Sequence, residues 1–404
     1  MTATSDPQSF RQIVWPLALA ETIVWAALYY SFPALLLEWE RDLGWSKVEL
    51  TGALTVALLV SAASAPFAGR FIDKGHGREL LTGSALTGAG LLLLLSQVTQ
   101  LWQFYAVWFA IGLTMAGCLY DVCFAVLTRA MGGQAKRAIT LVTLIAGLAG
   151  TVSFPSANAL ATAFDWRIAL MVFAGVIIVI AAPLFWYACG TAERLPHVNT
   201  LPAGAKKEAF VRLIRSPLFW CLAICFLCMA FNHGVLINHL LPLLDERGVH
   251  KETAILAISM IGPMQVSGRL AMMAAERHIS TSIMFIACTL AAATASVSLY
   301  GAAIIPALIV SFVLFQGAGH GVISILRPVI IAEYLGRNDF GLVAGMLAAV
   351  YLVGYALAPA MGAFIWENGG YDRVIEFALM MTLIAFAAIV LAHLIAKRQH
   401  TPEG

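Results

Sequence analysis

The 404-residue chain is 61% hydrophobic and only 11% charged, with a formal net charge of +2 at pH 7. Soluble domains carry about 25% charged residues, and a soluble fold of this length has too much water-facing surface to hide so much apolar side chain. The balance excludes a soluble enzyme and a nucleic-acid-binding chain with a charged tail or patch, and it points to an all-α protein whose outside faces lipid.

The first ten residues, MTATSDPQSF, are polar and lack a basic start. The apolar run that follows, from Ile13 to Leu37, exceeds the roughly 7–15 residues of a secretory signal core and is read as a retained helix. Spanning helices need about 20 mostly apolar residues. Such runs predict twelve: 13–37, 48–69, 79–98, 102–128, 138–160, 168–189, 216–242, 253–272, 281–300, 302–327, 340–364 and 373–396. Tight hairpins are expected at Val98–Leu101 and around Gly301. The longest polar stretch, residues 190–215, holds Pro196 and Pro202 and divides the chain near its middle. The expected organisation is an N-terminal six-helix bundle (1–189), a linker (190–215) and a C-terminal six-helix bundle (216–404).

Eighteen of the 24 Lys and Arg residues fall on the side of the N-terminus. The positive-inside rule then places both termini and the linker in the cytoplasm of a multi-pass protein of the cell (inner or plasma) membrane. The halves repeat weakly at an offset near 200: Gly69-Arg70 is matched by Gly268-Arg269, Arg129 by Arg327, and Pro155 by Pro359. Duplicated six-helix units are a transporter signature, because two similar halves can rock about a site between them.

Residues 69–78, GRFIDKGHGR, resemble the loop signature of the major facilitator superfamily, Gly-x-x-x-Asp-Arg/Lys-x-Gly-x-Arg, through Gly69, Asp73, Lys74 and Arg78; His76 stands where the family has glycine. The resemblance implies the major facilitator fold, two pseudo-symmetric six-helix bundles. It also implies a conformational latch: Gly69 permits a close helix approach, Asp73 sits at the positive end of a neighbouring helix, and Lys74 and Arg78 pair with acids. The competing reading is that these basic residues only fix topology. The second half has Met272 where the aspartate would repeat.

The stretches FPALLLEWERDLGWSKVELTGALTVALLVSAASAPFAGR and LRPVIIAEYLGRNDFG are similar to bacterial relatives of the monocarboxylate porters and oxalate–formate exchangers. Drug–proton antiporters of the superfamily carry an arginine in the fourth helix, where this chain has Trp108, and GLAGTVSFPSANA fits their fifth-helix pattern poorly.

A charge at the bilayer centre is costly, so it faces a cavity and usually has a role. Glu21, Asp121 and His320 are each seven or eight residues from a helix end, about 12 Å deep at 1.5 Å per residue. In the superfamily they would face the cavity lined by helices 1, 4, 7 and 10. Acids held away from bulk water and histidines are the side chains that can load and release protons. The plainer readings are a buried acid pair that ties helices together and a packing histidine. His233 and Asn232 on the seventh helix fit gating, solute binding or packing. Arg129 and Arg327 are expected to snorkel to the cytoplasmic edge.

The seven cysteines lie in apolar segments, so no disulfide framework is expected, and Cys221, Cys225 and Cys228 lack a fourth metal ligand. The expected protein is a monomeric secondary transporter of a small organic solute, an organic anion such as a monocarboxylate, moved by alternating access with protons. It needs no cofactor and no metal, and its partners are the solute, protons and the bilayer. A lipophilic-compound efflux antiporter and a transport-inactive membrane sensor are the alternatives. No nucleophile–base pair or phosphate loop marks an enzyme.

Overall fold

The computed structural model describes residues 7–131, 134–194, 215–335 and 340–400. The side chain of Asp73 and most of the expected linker lie outside the described residues. The described residues form helices joined by short turns. The chain divides into two compact units, Met1–Thr200 and Leu201–Gly404.

The first unit holds the spans Gln8–Leu43, Lys47–Ala65, Gly77–Leu95, Leu101–Met131, Arg137–Ala163 and Trp166–Ala192. The second holds Pro217–Glu246, Lys251–Ala275, Thr281–Gly301, Leu308–Leu335 and the long segment Val343–Arg398. That last segment is two helices, broken at Gly370, whose φ of 73° is the left-handed conformation that glycine adopts without strain. Twelve spans result among the described residues, each able to cross a bilayer by length and apolarity.

Helix starts follow from short-range chemistry. Before the second span, the Ser46 hydroxyl accepts from Glu49 N–H at 3.2 Å while the Glu49 carboxylate accepts from Ser46 N–H at 2.8 Å, a reciprocal cap. Asp165 caps the sixth span through Arg167 N–H at 3.0 Å. The loop signature closes the helix Lys47–Asp73 in the same local way. Gly75 N–H bonds Ile72 C=O at 2.8 Å and His76 N–H bonds Phe71 C=O at 3.0 Å, with Gly75 at φ 87°. This is a Schellman cap. The required glycine precedes His76, so the histidine is tolerated where it stands.

Apolar side chains face outward as well as inward, as lipid permits: Trp102, Val179, Ile304 and Val310 are all exposed. Within the first unit, Trp108 is fully buried and packs edge-on against Phe32 with centroids 4.9 Å apart, beside Trp39 and Phe104. Each unit also ties one end through acids that accept from an arginine and an indole, one acid in the first unit and two in the second. Asp42 accepts from Trp166 and Arg167, each at 2.8 Å. In the second unit Arg247 pairs with Asp372 at 2.7 Å and Trp366 donates to Glu246 at 2.7 Å.

Two expectations need correction. The tenth span does not run over 302–327: Ala302 to Ala307 form turns up to Pro306, and the helix runs from Leu308 to Leu335. Arg327 is thus eight residues inside the helix end. Gly69 was expected to permit a close helix approach, yet a Cβ there would meet nothing within 4 Å among the described residues. The close approaches lie elsewhere. A Cβ at Gly112 would sit 2.8 Å from Ala57 Cα, and one at Gly321 would sit 2.6 Å from Gln265 Cα.

Candidate functional site

In the first unit, Glu21 lies in the first span, one turn before a π-helical segment, Trp25–Tyr30. A π turn leaves carbonyls without their ordinary helical partners. The Ser153 hydroxyl of the fifth span donates to the Ala26 carbonyl at 2.8 Å, and within the helix the Ser31 hydroxyl donates to the Ala27 carbonyl at 2.6 Å. The fourth span is also irregular. Leu119 is extended (φ −100°, ψ −172°) and splits it into Leu101–Cys118 and Tyr120–Met131. Asp121 falls in the first turn of the second piece, at the positive end of that half-helix. Broken helices of this kind are where transporters place polar groups.

Glu21 is fully buried, and neither carboxylate oxygen has a hydrogen-bond partner among the described residues. Trp25 and Cys123 lie beside the carboxyl group without meeting hydrogen-bond geometry, and Asp121 is close enough for the two charges to interact. Asp121 itself is exposed. The structure therefore brings the two predicted acids together, one sealed and one open. Around them stand aromatic rings: Trp25 and Tyr120 have centroids 4.8 Å apart, and Tyr120 stacks on Phe124 at 5.0 Å.

Arg129, at the end of the same half-helix, donates to the Ile72 carbonyl, so it caps the second helix. Arg78 lies flat over Trp186, with Cζ 3.4 Å from the ring centroid, and its Nε donates to the Trp186 carbonyl at 3.1 Å. Its backbone N–H meets the Glu193 carboxylate at 3.3 Å. Of the four predicted latch residues, Arg78 is thus held against the sixth span of its own unit, Lys74 is exposed, Gly69 faces open space, and Asp73 lies outside the described side chains.

In the second unit, His233 of the seventh span and His320 of the tenth stack face to face, with centroids 3.3 Å apart and planes 6° apart. His233 is buried and His320 half-buried, and the Nδ1 atom of each has no partner among the described residues. Asn232, one residue earlier, serves a different purpose. It is fully buried; its amide donates to Ser296 Oγ at 3.3 Å and to the Ala378 carbonyl at 3.2 Å, and its oxygen accepts from Gln316 at 3.1 Å. Those bonds join helices seven, nine, ten and twelve. Replacing Asn232 with Leu strands the Gln316 amide in the core and removes three bonds, so the expected loss is about 2–4 kcal/mol of stability, read as a lowered denaturation midpoint in detergent.

Sequence reading missed two tyrosines. Tyr351 and Tyr355 of the eleventh helix stack nearly parallel (12°, 6.1 Å), Tyr355 continues towards His233 (20°, 6.3 Å), and Arg327 Cζ lies 3.8 Å over the Tyr351 ring. Their four-residue spacing puts them on one helical face, but nothing local says what that face meets. Among the described residues no group of three or more His, Cys, Asp or Glu is placed to hold a metal ion.

Twelve apolar spans, interrupted helices and a few ionisable groups inside them define a multi-pass membrane protein of the transporter class. The chain matches the Major Facilitator Superfamily over residues 17–304. It belongs to that family, whose members carry small molecules across membranes and are not enzymes. The fold is similar to two solved structures of a bacterial homolog of the human lysosomal transporter Spinster. The one described as inward-facing and occupied aligns with TM-score 0.73 at 13% identity, covering 99% of this chain and 100% of that one. The one described as inward-facing and unoccupied aligns with TM-score 0.67 at 15% identity, covering 98% of each. No curated protein sequence matches this chain.

Proposed function

We propose that this protein is a proton-coupled secondary transporter of a small organic solute, an organic anion such as a monocarboxylate, working by alternating access in the cell membrane. The observation that carries the reading is Glu21: a fully buried carboxyl group, with no hydrogen-bond partner among the described residues, beside an exposed second acid on a broken helix. Such a group costs several kcal/mol unless it binds a proton or an ion, so a membrane protein keeps it for use. Asp121 connects it to water, and His233 and His320 offer a second protonatable pair. Family membership supports solute transport, and the inward-facing relatives support alternating access. In this reading residues 190–215 join the two six-helix units on the cytoplasmic side, where both termini also lie, and the chain works as a monomer.

Uptake into proteoliposomes under an imposed pH gradient tests this. One or more labelled weak organic acids should accumulate above equilibrium, and a protonophore should abolish the accumulation. Outward movement of lipophilic cations alone would instead identify an efflux antiporter. No gradient-driven flux across a broad panel of anions, cations and neutral solutes would leave a sensor.

A further inference from the structure

We propose that Arg327, Tyr351 and Tyr355 form a binding site for a planar aromatic monocarboxylate, with the guanidinium holding the carboxylate and the tyrosines stacking on the ring. The proposal deepens the transporter reading and rests on it for its biological meaning, but its binding chemistry stands on the second unit alone.

Arg327 lies eight residues inside the Leu308–Leu335 helix, about 12 Å from its end, and Pro328–Ala332 beyond it are apolar. A half-buried guanidinium needs a counter-charge or well-placed polar partners. Among the described residues no counter-charge is supplied locally. Residues 308–332, 340–366 and 217–244 contain no Asp or Glu, and Arg327 pairs with no carboxylate among the described residues. What it has is the Tyr351 ring face, 3.8 Å from Cζ. A face contact leaves the edge N–H donors of the guanidinium unused, and their fork matches the two oxygens of a carboxylate. Arg269, bonded to Gly321 C=O at 3.1 Å, adds positive charge close to His320, which also feels Arg327. The neighbourhood therefore favours an anion and disfavours an organic cation.

The ring requirement comes from the tyrosines. Arg327, Tyr351, Tyr355 and His320 are all half-buried. Tyr351, Tyr355, His233 and His320 are successively within 12°, 20° and 6° of parallel. Parallel ring faces beside a cation suit a flat ligand that stacks while its carboxylate meets the guanidinium. An aliphatic acid of the same size keeps the ion pair and loses the stacking.

Equilibrium binding of labelled benzoate to the full chain in lipid nanodiscs is the test. Benzoate should bind saturably. Arg327→Gln should weaken it by about tenfold or more, Tyr351→Leu by about three- to tenfold, and Tyr351→Phe, which keeps the ring, by no more than about twofold. Cyclohexanecarboxylate should compete about three- to tenfold less well than benzoate, and benzylamine should not compete. Monodisperse gel filtration of each variant, together with retained binding in Tyr351→Phe, separates lost contact from lost fold. The proposal is overturned if wild-type protein shows no saturable benzoate binding, if Arg327→Gln binds equally well, or if either competitor matches benzoate. Solute counterflow in proteoliposomes distinguishes the two readings. Flux indifferent to Arg327→Gln overturns this site and leaves transport standing. Arg327-dependent benzoate binding without flux of any solute supports the site and removes the transport reading.

Discussion

Glu21→Leu should abolish pH-driven solute accumulation while leaving the protein as stable as before, or more so. The two halves of that expectation come from one observation: the Glu21 carboxyl group is buried at 0% exposure and has no hydrogen-bond partner among the described residues. A residue that ties helices together loses stability when truncated, because its partners are stranded. Glu21 strands none. Removing an unpaired polar group from a core is neutral or favourable, by about 1–3 kcal/mol where an apolar side chain of similar size fills the space. Accumulation in proteoliposomes should fall to that of protein-free vesicles, while the denaturation midpoint holds or rises. Glu21→Gln keeps the shape and removes the proton site, so it should lose accumulation too. A clearly lowered midpoint in Glu21→Leu together with normal accumulation would make the residue a structural tie.

Gly321→Ala should unfold the second unit, whereas Gly69→Ala should be harmless. A methyl group at Gly321 would lie 2.6 Å from Gln265 Cα, against the backbone of the eighth span. Backbone cannot rotate aside as a side chain can, so the two spans must separate. Overpacking costs about 1–3 kcal/mol where side chains adjust, and about 3 kcal/mol or more is expected here. Gly112, beside Ala57, should respond the same way in the first unit. Gly69 would meet nothing within 4 Å, and exchanging a helical glycine for alanine gains up to about 1 kcal/mol. Monodisperse yield and denaturation midpoint read the contrast; equal damage at positions 69 and 321 would refute the packing account.

The spans were legible because twenty apolar residues in a row have few other uses. Their ends were less so. Arg327 read as an end because a charge interrupts a hydropathy run, but a helix needs only its backbone bonds, and Pro328 to Ala332 continue it. Residues 302–307 read as helix because they are apolar, while Pro306 turns the chain there. The break at Leu119 and the π turn at Trp25–Tyr30 left no local signal, since the latter is completed by Ser153, more than a hundred residues away. Among the candidate residues, Glu21 and Asp121 could be paired from depth alone. The stacking of His233 on His320 and the face made by Tyr351 and Tyr355 depend on helix rotation, which composition does not encode. Asn232 was visible as a polar residue in an apolar helix, and only its four-helix bonding separates packing from solute contact.

The π turn at Trp25–Tyr30 carries a lesson for anyone lining up distant relatives of this chain. One surplus residue there offsets the phase of the later half, Ser31–Leu43, against the earlier half that carries Glu21. A gapless pairing with a relative whose first helix is regular would match either the acid or the face of the later half correctly, never both.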